Sequence, residues 1–509
     1  MSPSQRETRP RDWWRRLTPC AAAAVTAFLL LPAGLASALP PRAQAAAIPQ
    51  SAQPADAAAL NEQEIENARA ALAGIVQEET VAGAPPEALE RVHEKLRRAF
   101  PRAFSQLRAE RIGTSLLLEW TGRSPGAPWM LLAHLDVVPV ENDTAQNWAH
   151  PPFSGEIAAG AIWGRGTLDD KASAVGILAA IERLLADGYV PRRTLLVGLG
   201  GDEETGGTGG AAQVAATLRQ RGIAPEFLLD EGYAVIDGSI VGVKPPVAMI
   251  GLAEKGYLTL RLQARAEGGH SSMPPPHSAI GRLARAVVRL EEAPLPSRLA
   301  EPMRSGLAAL APHMSGVQGL ALRAMWLTSP LVRHLLEGKP ATAAQIRTTT
   351  AVTMIAGGVA ENVLPEEATA TVNFRLLPGD TADGVIHHVR RVVDDDAIEI
   401  EIATAASREP TRVSSTEGLG WDALSQAIAT VFPEAVIAPG LTLGGTDAKH
   451  FEGVARQVYR FVPMRLAPGD LPRVHGLDER IPLASFDEFP AFYSNLIQAV
   501  DERSSDAAP

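Results

Sequence analysis

An α/β domain with a mixed sheet flanked by helices, interrupted by a smaller inserted α+β domain, is the fold this sequence predicts, on three observations. Short apolar runs alternate with helical patterns up to about residue 254, the pattern of strand and helix in turn. At Gly256 this gives way to a period-2 run, Tyr257-Leu-Thr-Leu-Arg-Leu-Gln-Ala, followed by helix, strand, strand and helix. After about Thr411 the α/β character resumes, so the first domain is discontinuous. A chain of 509 residues that is 46% apolar is long enough for more than one core.

Residues 1–45 read as an export segment: Arg6, Arg9, Arg11, Arg15 and Arg16 precede an apolar stretch from Cys20 to Leu39, with small residues near position 45. Roughly 20 apolar residues also suffice for a membrane anchor. Pro32 and Gly34 favour cleavage, so the expected location is periplasmic or extracellular, or membrane-anchored if the segment stays. Cys20 is the only cysteine, which excludes cysteine-ligated zinc and thiol catalysis in an exported mature form. The net charge of -11, without a basic stripe, argues against nucleic acid as a partner.

Residues 46–58 are an Ala/Pro/Gln-rich linker, and residues 59–254 form the first part of the larger domain. There, helical spacing spans Asn61 to Phe100 and again 174–186 and 213–220, and strands are expected at 115–120, 129–132, 194–199 and 227–229. The inserted domain covers 255–405, with helices at 279–290 and 382–393 and strands at 348–355 and 368–374. Its stretch from Pro294 to Ala341 is mixed helix and loop without a readable role. Residues 406–501 complete the larger domain with helices at 419–431 and 486–500, and 502–509 form a tail.

The chemistry sits at the ends of the apolar runs, where an α/β sheet delivers side chains into the crevice beyond its strands. His134 and Asp136 lie two apart at one strand end and point the same way, so the carboxylate can orient the imidazole. Asp169-Asp170 follows a glycine turn at a helix start; either acid alone is an ordinary cap, but a carboxylate with two free oxygens can bridge two cations, and Asp169 is favoured for this. Glu203-Glu204 can divide the work, one binding metal and the other accepting a proton from water. As an isolated pair they would read as a solvated turn. Asp230-Glu231 and the distant His475 complete a nitrogen and oxygen donor set suited to zinc, with manganese or cobalt fitting the same donors.

In order and wording these motifs resemble the zinc-dependent aminoacylase and carboxypeptidase family that includes acetylornithine deacetylase and succinyl-diaminopimelate desuccinylase, over about residues 60–500. Within it, the chain is most similar to the branch of carboxypeptidase S and the secreted N-fatty-acyl-amino-acid synthase/hydrolases. The resemblance implies a di-zinc catalytic domain and a ferredoxin-like lid or dimerisation domain. It implies His134, Asp169, Glu204, Asp230 and His475 as ligands of two Zn2+ ions, Asp136 as the orienting acid and Glu203 as general base, with Glu231 the alternative to Asp230. It further implies that His270, in Gly268-Gly-His270-Ser-Ser, stabilises the oxyanion, often across a dimer. Asn362, Gly445 and Thr446 match substrate-contacting loops, Arg375 also matches but has a structural alternative, and Arg408 or Arg412 stands where relatives bind a carboxylate.

The expected activity is hydrolysis of the amide bond of small peptides or N-acyl amino acids with a free C-terminal carboxylate, with condensation as the reverse direction and a homodimer through the inserted domain. The alternative is an exported binding protein that kept the fold and lost catalysis. His93, His150, His277, His313, His334, His387, His388 and His450 lack a carboxylate context and read as surface or structural residues.

Overall fold

The structure, a computed structural model, describes residues 60–505 apart from 84, 142, 143 and 405. The export segment, the linker and the end of the tail lie outside the described residues. Among the described residues no helix is long and apolar enough to cross a membrane.

A ten-stranded mixed sheet organises the larger part of the fold. Its centre is parallel: Leu195–Gly200, Trp129–His134, Phe227–Asp230 and Gln457–Arg460 lie side by side in that order. Strands covered on both faces read as unbroken apolar runs, and all six residues of Trp129–His134 and of Leu195–Gly200 are buried. The helices Lys171–Ala186, Leu419–Val431 and Glu488–Ser505 pack together, and Phe489 and Tyr493 of the last press on Gly176 of the first. A Cβ at Gly176 would lie 2.7 Å from that of Phe489, so glycine sets this close approach.

Residues 256–402 build a second, four-stranded antiparallel sheet in the order Thr349–Gly357, Glu367–Leu376, Gly256–Arg265, Ile398–Ile402. Period 2 decides which side is dry: Ala368, Ala370, Val372, Phe374 and Leu376 are buried while their neighbours are not. Helices Ala279–Glu292 and Ala382–Val393 cover that face, their Leu283, Leu290, Val385 and Val389 joining a core separate from that of the large sheet.

The single helical stretch expected from Asn61 to Phe100 is divided into Glu62–Val76 and Glu87–Ala99, because Pro85 and Pro86 break it. Asn61 caps the first by a reciprocal pair of hydrogen bonds with Glu64. The unread stretch after Pro294 resolves into the helices Met303–Leu310, Gly316–Arg323, Met325–Glu337 and Pro340–Ile346. The edge strand Ile398–Ile402, five residues long, was too short for its alternation to stand out.

Candidate metal centre

Register brings the acidic loops to one mouth. His134 pairs with Gly200 and Leu131 with Leu229, so the chain leaving each strand delivers Asp136, Glu203 and Glu231 at the same end of the sheet. His134 is 2% exposed, and its Nδ1 lies 3.0 Å from the carbonyl oxygen of Asp136 and 3.5 Å from the carboxylate of that residue. With the Nδ1 proton donated there, the lone pair on Nε2 is directed into the site, the tautomer a metal-binding imidazole needs.

Nε2 of His134 stands 2.9 Å from Asp169 Oδ1, and Nε2 of His475 stands 2.9 Å from Asp169 Oδ2. His475 Nε2 is also 3.2 Å from Glu204 Oε1. One carboxylate between two imidazoles, offering one oxygen to each, is the arrangement of a bridge between two cations. Asp136 does more than orient His134: its two oxygens accept the backbone N–H groups of Glu203 at 3.1 Å and Glu204 at 3.0 Å, clamping the acidic turn.

Two donor groups result, His134 with Asp169 and Glu204, and His134 with Glu203 and Glu231, the ligand atoms of each lying within 4.8 Å of one another. Asp230 belongs to neither group among the described residues. It is 3% exposed, its Oδ2 accepting the N–H of Ala448 at 2.7 Å. Of the two adjacent acids it is Glu231, the alternative to the expected Asp230, whose carboxylate groups with His134 and Glu203, adjacent side chains at a strand end facing opposite ways.

The charge balance fits divalent cations. Burial pushes the carboxyl of Glu203 up to about 7, against the lowering effect of His134 and Lys449, and holds those of Glu231, Asp170 and Asp447 well above their ordinary values. Hydrogen bonds to Asp169 and Glu204 push His475 up to about 10. So many acids withdrawn from water need compensating positive charge, which two divalent ions held by these carboxylates and imidazoles would supply.

Several supporting residues escaped the motif reading. The N–H groups of Gly166 and Leu168 both donate to Glu479 Oε1 at 2.9 Å, and Arg165 pairs with Glu479 where both side chains are buried. Arg165 Nη2 also donates to the carbonyls of His475 and Gly476 at 3.0 and 3.2 Å. His475 is held with φ of 62°, left-handed backbone that is uncommon for a non-glycine residue. Lys449 Nζ lies 3.4 Å from Glu203 Oε1 and 3.8 Å from Asp447 Oδ1. His450 is structural, its Nε2 donating to the carbonyl of Gly206 at 2.8 Å. Gly207, with φ of 70°, leaves room for Asp447, whose Oδ1 would stand 2.0 Å from a Cβ there.

The remaining expected residues fall into two places. Thr446 donates its N–H and hydroxyl to the buried Glu254, at 3.2 and 2.8 Å, and Arg460 donates to the same oxygen at 2.6 Å. Arg408 reaches the other oxygen of Glu254 at 3.9 Å and lies against Gly445, where a Cβ would meet its Nη2 at 2.2 Å. Arg412 instead pairs with Glu452 at the surface. Arg375 stacks over the Tyr257 ring at 4.7 Å.

His270 and Asn362 sit together elsewhere, on a two-stranded ribbon of Gly269–His270 and Val363–Leu364. The N–H of Ser271 donates to the carbonyl of Asn362 at 3.1 Å, and His270 Nδ1 accepts the N–H of Ser272 at 3.1 Å. Both side chains are exposed, and among the described residues no hydrogen bond or donor group joins them to the metal centre.

The model of peptidase family M20/M25/M40 matches residues 130–499. The chain is 40% identical to the N-fatty-acyl-amino acid synthase/hydrolase PM20D1.1 of Danio rerio, over 82% of each chain. It is 31% identical to carboxypeptidase S of Saccharomyces cerevisiae, over 81% of this chain and 78% of that one. Among solved structures, the M20 family metallo-carboxypeptidase Sso-CP2 from Sulfolobus solfataricus superposes with a TM-score of 0.63 at 17% identity, covering 87% of this chain and all of the other. Fold, donor geometry and these likenesses agree, and the chain belongs to the M20 peptidase family of metal-dependent peptidases and amidohydrolases.

Proposed function

We propose that this chain hydrolyses the amide bond of N-acyl amino acids bearing a free carboxylate, with two zinc ions held by His134, Asp169, Glu204, Glu231 and His475. The observation that carries the reading is Asp169 between two imidazoles, with Glu203 on the adjoining turn. Such ions, when bound, supply Lewis acidity that acidifies water and polarises an amide carbonyl. Glu203 takes the proton of the attacking water and returns it to the leaving nitrogen. Asp136 fixes where that carboxylate stands by holding its backbone N–H.

For the substrate, similarity to the fatty-acyl-amino acid synthase/hydrolases supports an acyl group on nitrogen. Arg408 beside Gly445, near Arg375, supports recognition of the carboxylate by guanidinium groups. Export, read from residues 1–45, belongs to the same proposal.

The test is amine release from dipeptides and from short- and long-chain N-acyl amino acids by the zinc-loaded protein beside its Glu203→Gln variant. Wild-type turnover is expected on N-acyl amino acids, falling roughly 10²–10⁴-fold in the variant while metal content stays equal. If both proteins hold metal and neither releases amine, the substrate class is wrong and a binding role takes its place; turnover confined to dipeptides would make the chain a carboxypeptidase.

A further inference from the structure

Register alone brings two arginines together where the chain passes from the large sheet to the small one. Tyr257, near the start of Gly256–Arg265, pairs with Arg375 on one side and with Arg408 on the other. Residues opposed across neighbouring strands project from the same face, so Arg375, Tyr257 and Arg408 form one row. Arg375 lies over the Tyr257 ring, and burial together with the nearby Arg408 depresses its guanidinium from its ordinary value. Among the described residues no carboxylate forms an ion pair with Arg375.

Arg408 is held by approach and not by hydrogen bonds. Its Nη2 stands 3.9 Å from Oε2 of Glu254, and its buried Nε has no hydrogen-bond partner among the described residues. Glu254 is fully buried. Its Oε1 accepts the N–H and hydroxyl of Thr446 and the Nε–H of Arg460, whereas Oε2 accepts no hydrogen bond there, which turns its remaining charge to Arg408. The guanidinium comes this close only because Gly445 lacks a Cβ, which would collide with Nη2. Four residues on, Lys449 stands 3.4 Å from Glu203, so one turn of the chain touches both Arg408 and the general base. Two guanidiniums in a row, with a single buried and half-used carboxylate behind them, lack an acceptor. A second carboxylate, with two oxygens in one plane, matches such forks.

We propose that Glu254 and Gly445 position Arg408 for the substrate carboxylate and so make the chain select acids over amides. Glu254 draws the guanidinium back across the bare Cα of Gly445, leaving N–H groups of Arg408 and Arg375 to the ligand. The inference rests on the proposed substrate class only through its free carboxylate, which N-acyl amino acids and dipeptides share.

The zinc-loaded full chain is tested on N-decanoyl-leucine, leucyl-leucine and the C-terminal carboxamide of each. KM and kcat are measured for turnover, and dissociation constants in the Glu203→Gln background, where binding is read without it. Acids should be preferred over amides at least about tenfold, the value of a charge-assisted hydrogen bond. In Gly445→Ala the new Cβ would have only the flexible end of Arg408 as its nearest neighbour. That preference should then fall at least about tenfold, the change lying in KM and Kd and not in kcat, with the unfolding midpoint unaltered. Glu254→Gln should act in the same direction; if it does not fold, Gly445→Ala decides. Acids that do not bind, a wild type without the preference, or variants that weaken acids and amides equally overturn the proposal. So does a Glu254→Gln variant that tightens the acids, the result of deleting a negative charge while Arg408 stays in place. If no compound is turned over, the proposed hydrolysis fails, and the dissociation constants still decide the role of Glu254 and Gly445.

Discussion

The metal centre and the ribbon bearing His270 and Asn362 are built in opposite ways. At the centre each functional group is held by another: Asp136 holds the turn of Glu203 and Glu204, and Arg165 with Glu479 holds the loop of His475 to the turn before Asp169. On the ribbon, two residues pair with two, and the side chains stand in solvent. The difference separates residues held in place by the folded chain from residues left open on its surface.

The largest break of that contrast should come from Glu479→Ala. Removing a buried carboxylate strands Arg165 and two backbone donors, a loss of about 3–5 kcal/mol of stability. Urea unfolding measures it, and the loop of His475 should loosen with it, lowering metal content. A loss under about 1 kcal/mol, the value of a surface pair, would mean that the centre is not braced in this way.

Next in size is the choice of carboxylate after the third parallel strand. Glu231→Gln should weaken one of the two metal sites on the order of a hundredfold, and Asp230→Asn, which keeps an acceptor for the N–H of Ala448, by less than about tenfold. Chelator competition separates them, and the reverse order would return Asp230 to the ligand set. His270→Ala should then lower kcat on the order of a hundredfold, the cost of one oxyanion donor, without changing metal content or the unfolding midpoint. Unchanged kcat would leave His270 a turn residue of an open ribbon.

The same contrast marks what could be read in advance. His134, Glu203 and Glu204 were legible because each stands at or just after the end of an apolar run, where a sheet allows few places to point, and Asp169 because two acids follow a glycine turn at a helix start. Composition does not choose between Asp230 and Glu231, since a shift of one residue reverses the side and leaves it unchanged. Arg165 with Glu479, 314 positions apart, and Lys449 on Glu203 are pairings made by the fold alone, with no local spacing to announce them. The helices from Met303 to Ile346 were hidden for another reason: apolar residues on the outer as well as the inner side blur the period that marks an amphipathic helix.

The smallest effect concerns the scaffold behind the centre and asks whether loss of activity in acid belongs to the site or to its support. Helix Glu87–Ala99 packs Leu89 against Gly201, next to the acidic turn, and buries His93, whose Nε2 has no hydrogen-bond partner among the described residues. Burial, aided by Arg97, lowers the His93 imidazole from its ordinary 6.5 to about 4. Between those values the unfolded chain binds the proton and the folded chain does not. Stability therefore falls as pH drops below 6.5 and levels off near 4. At pH 5 the loss amounts to about 2 kcal/mol. His93→Leu keeps the side chain apolar and removes the proton site, so its unfolding free energy should change less between pH 7 and pH 5 than that of the wild type. If both lose the same stability, the acid response originates in the carboxylates of the centre, and the contrast between braced site and open ribbon holds without help from this helix.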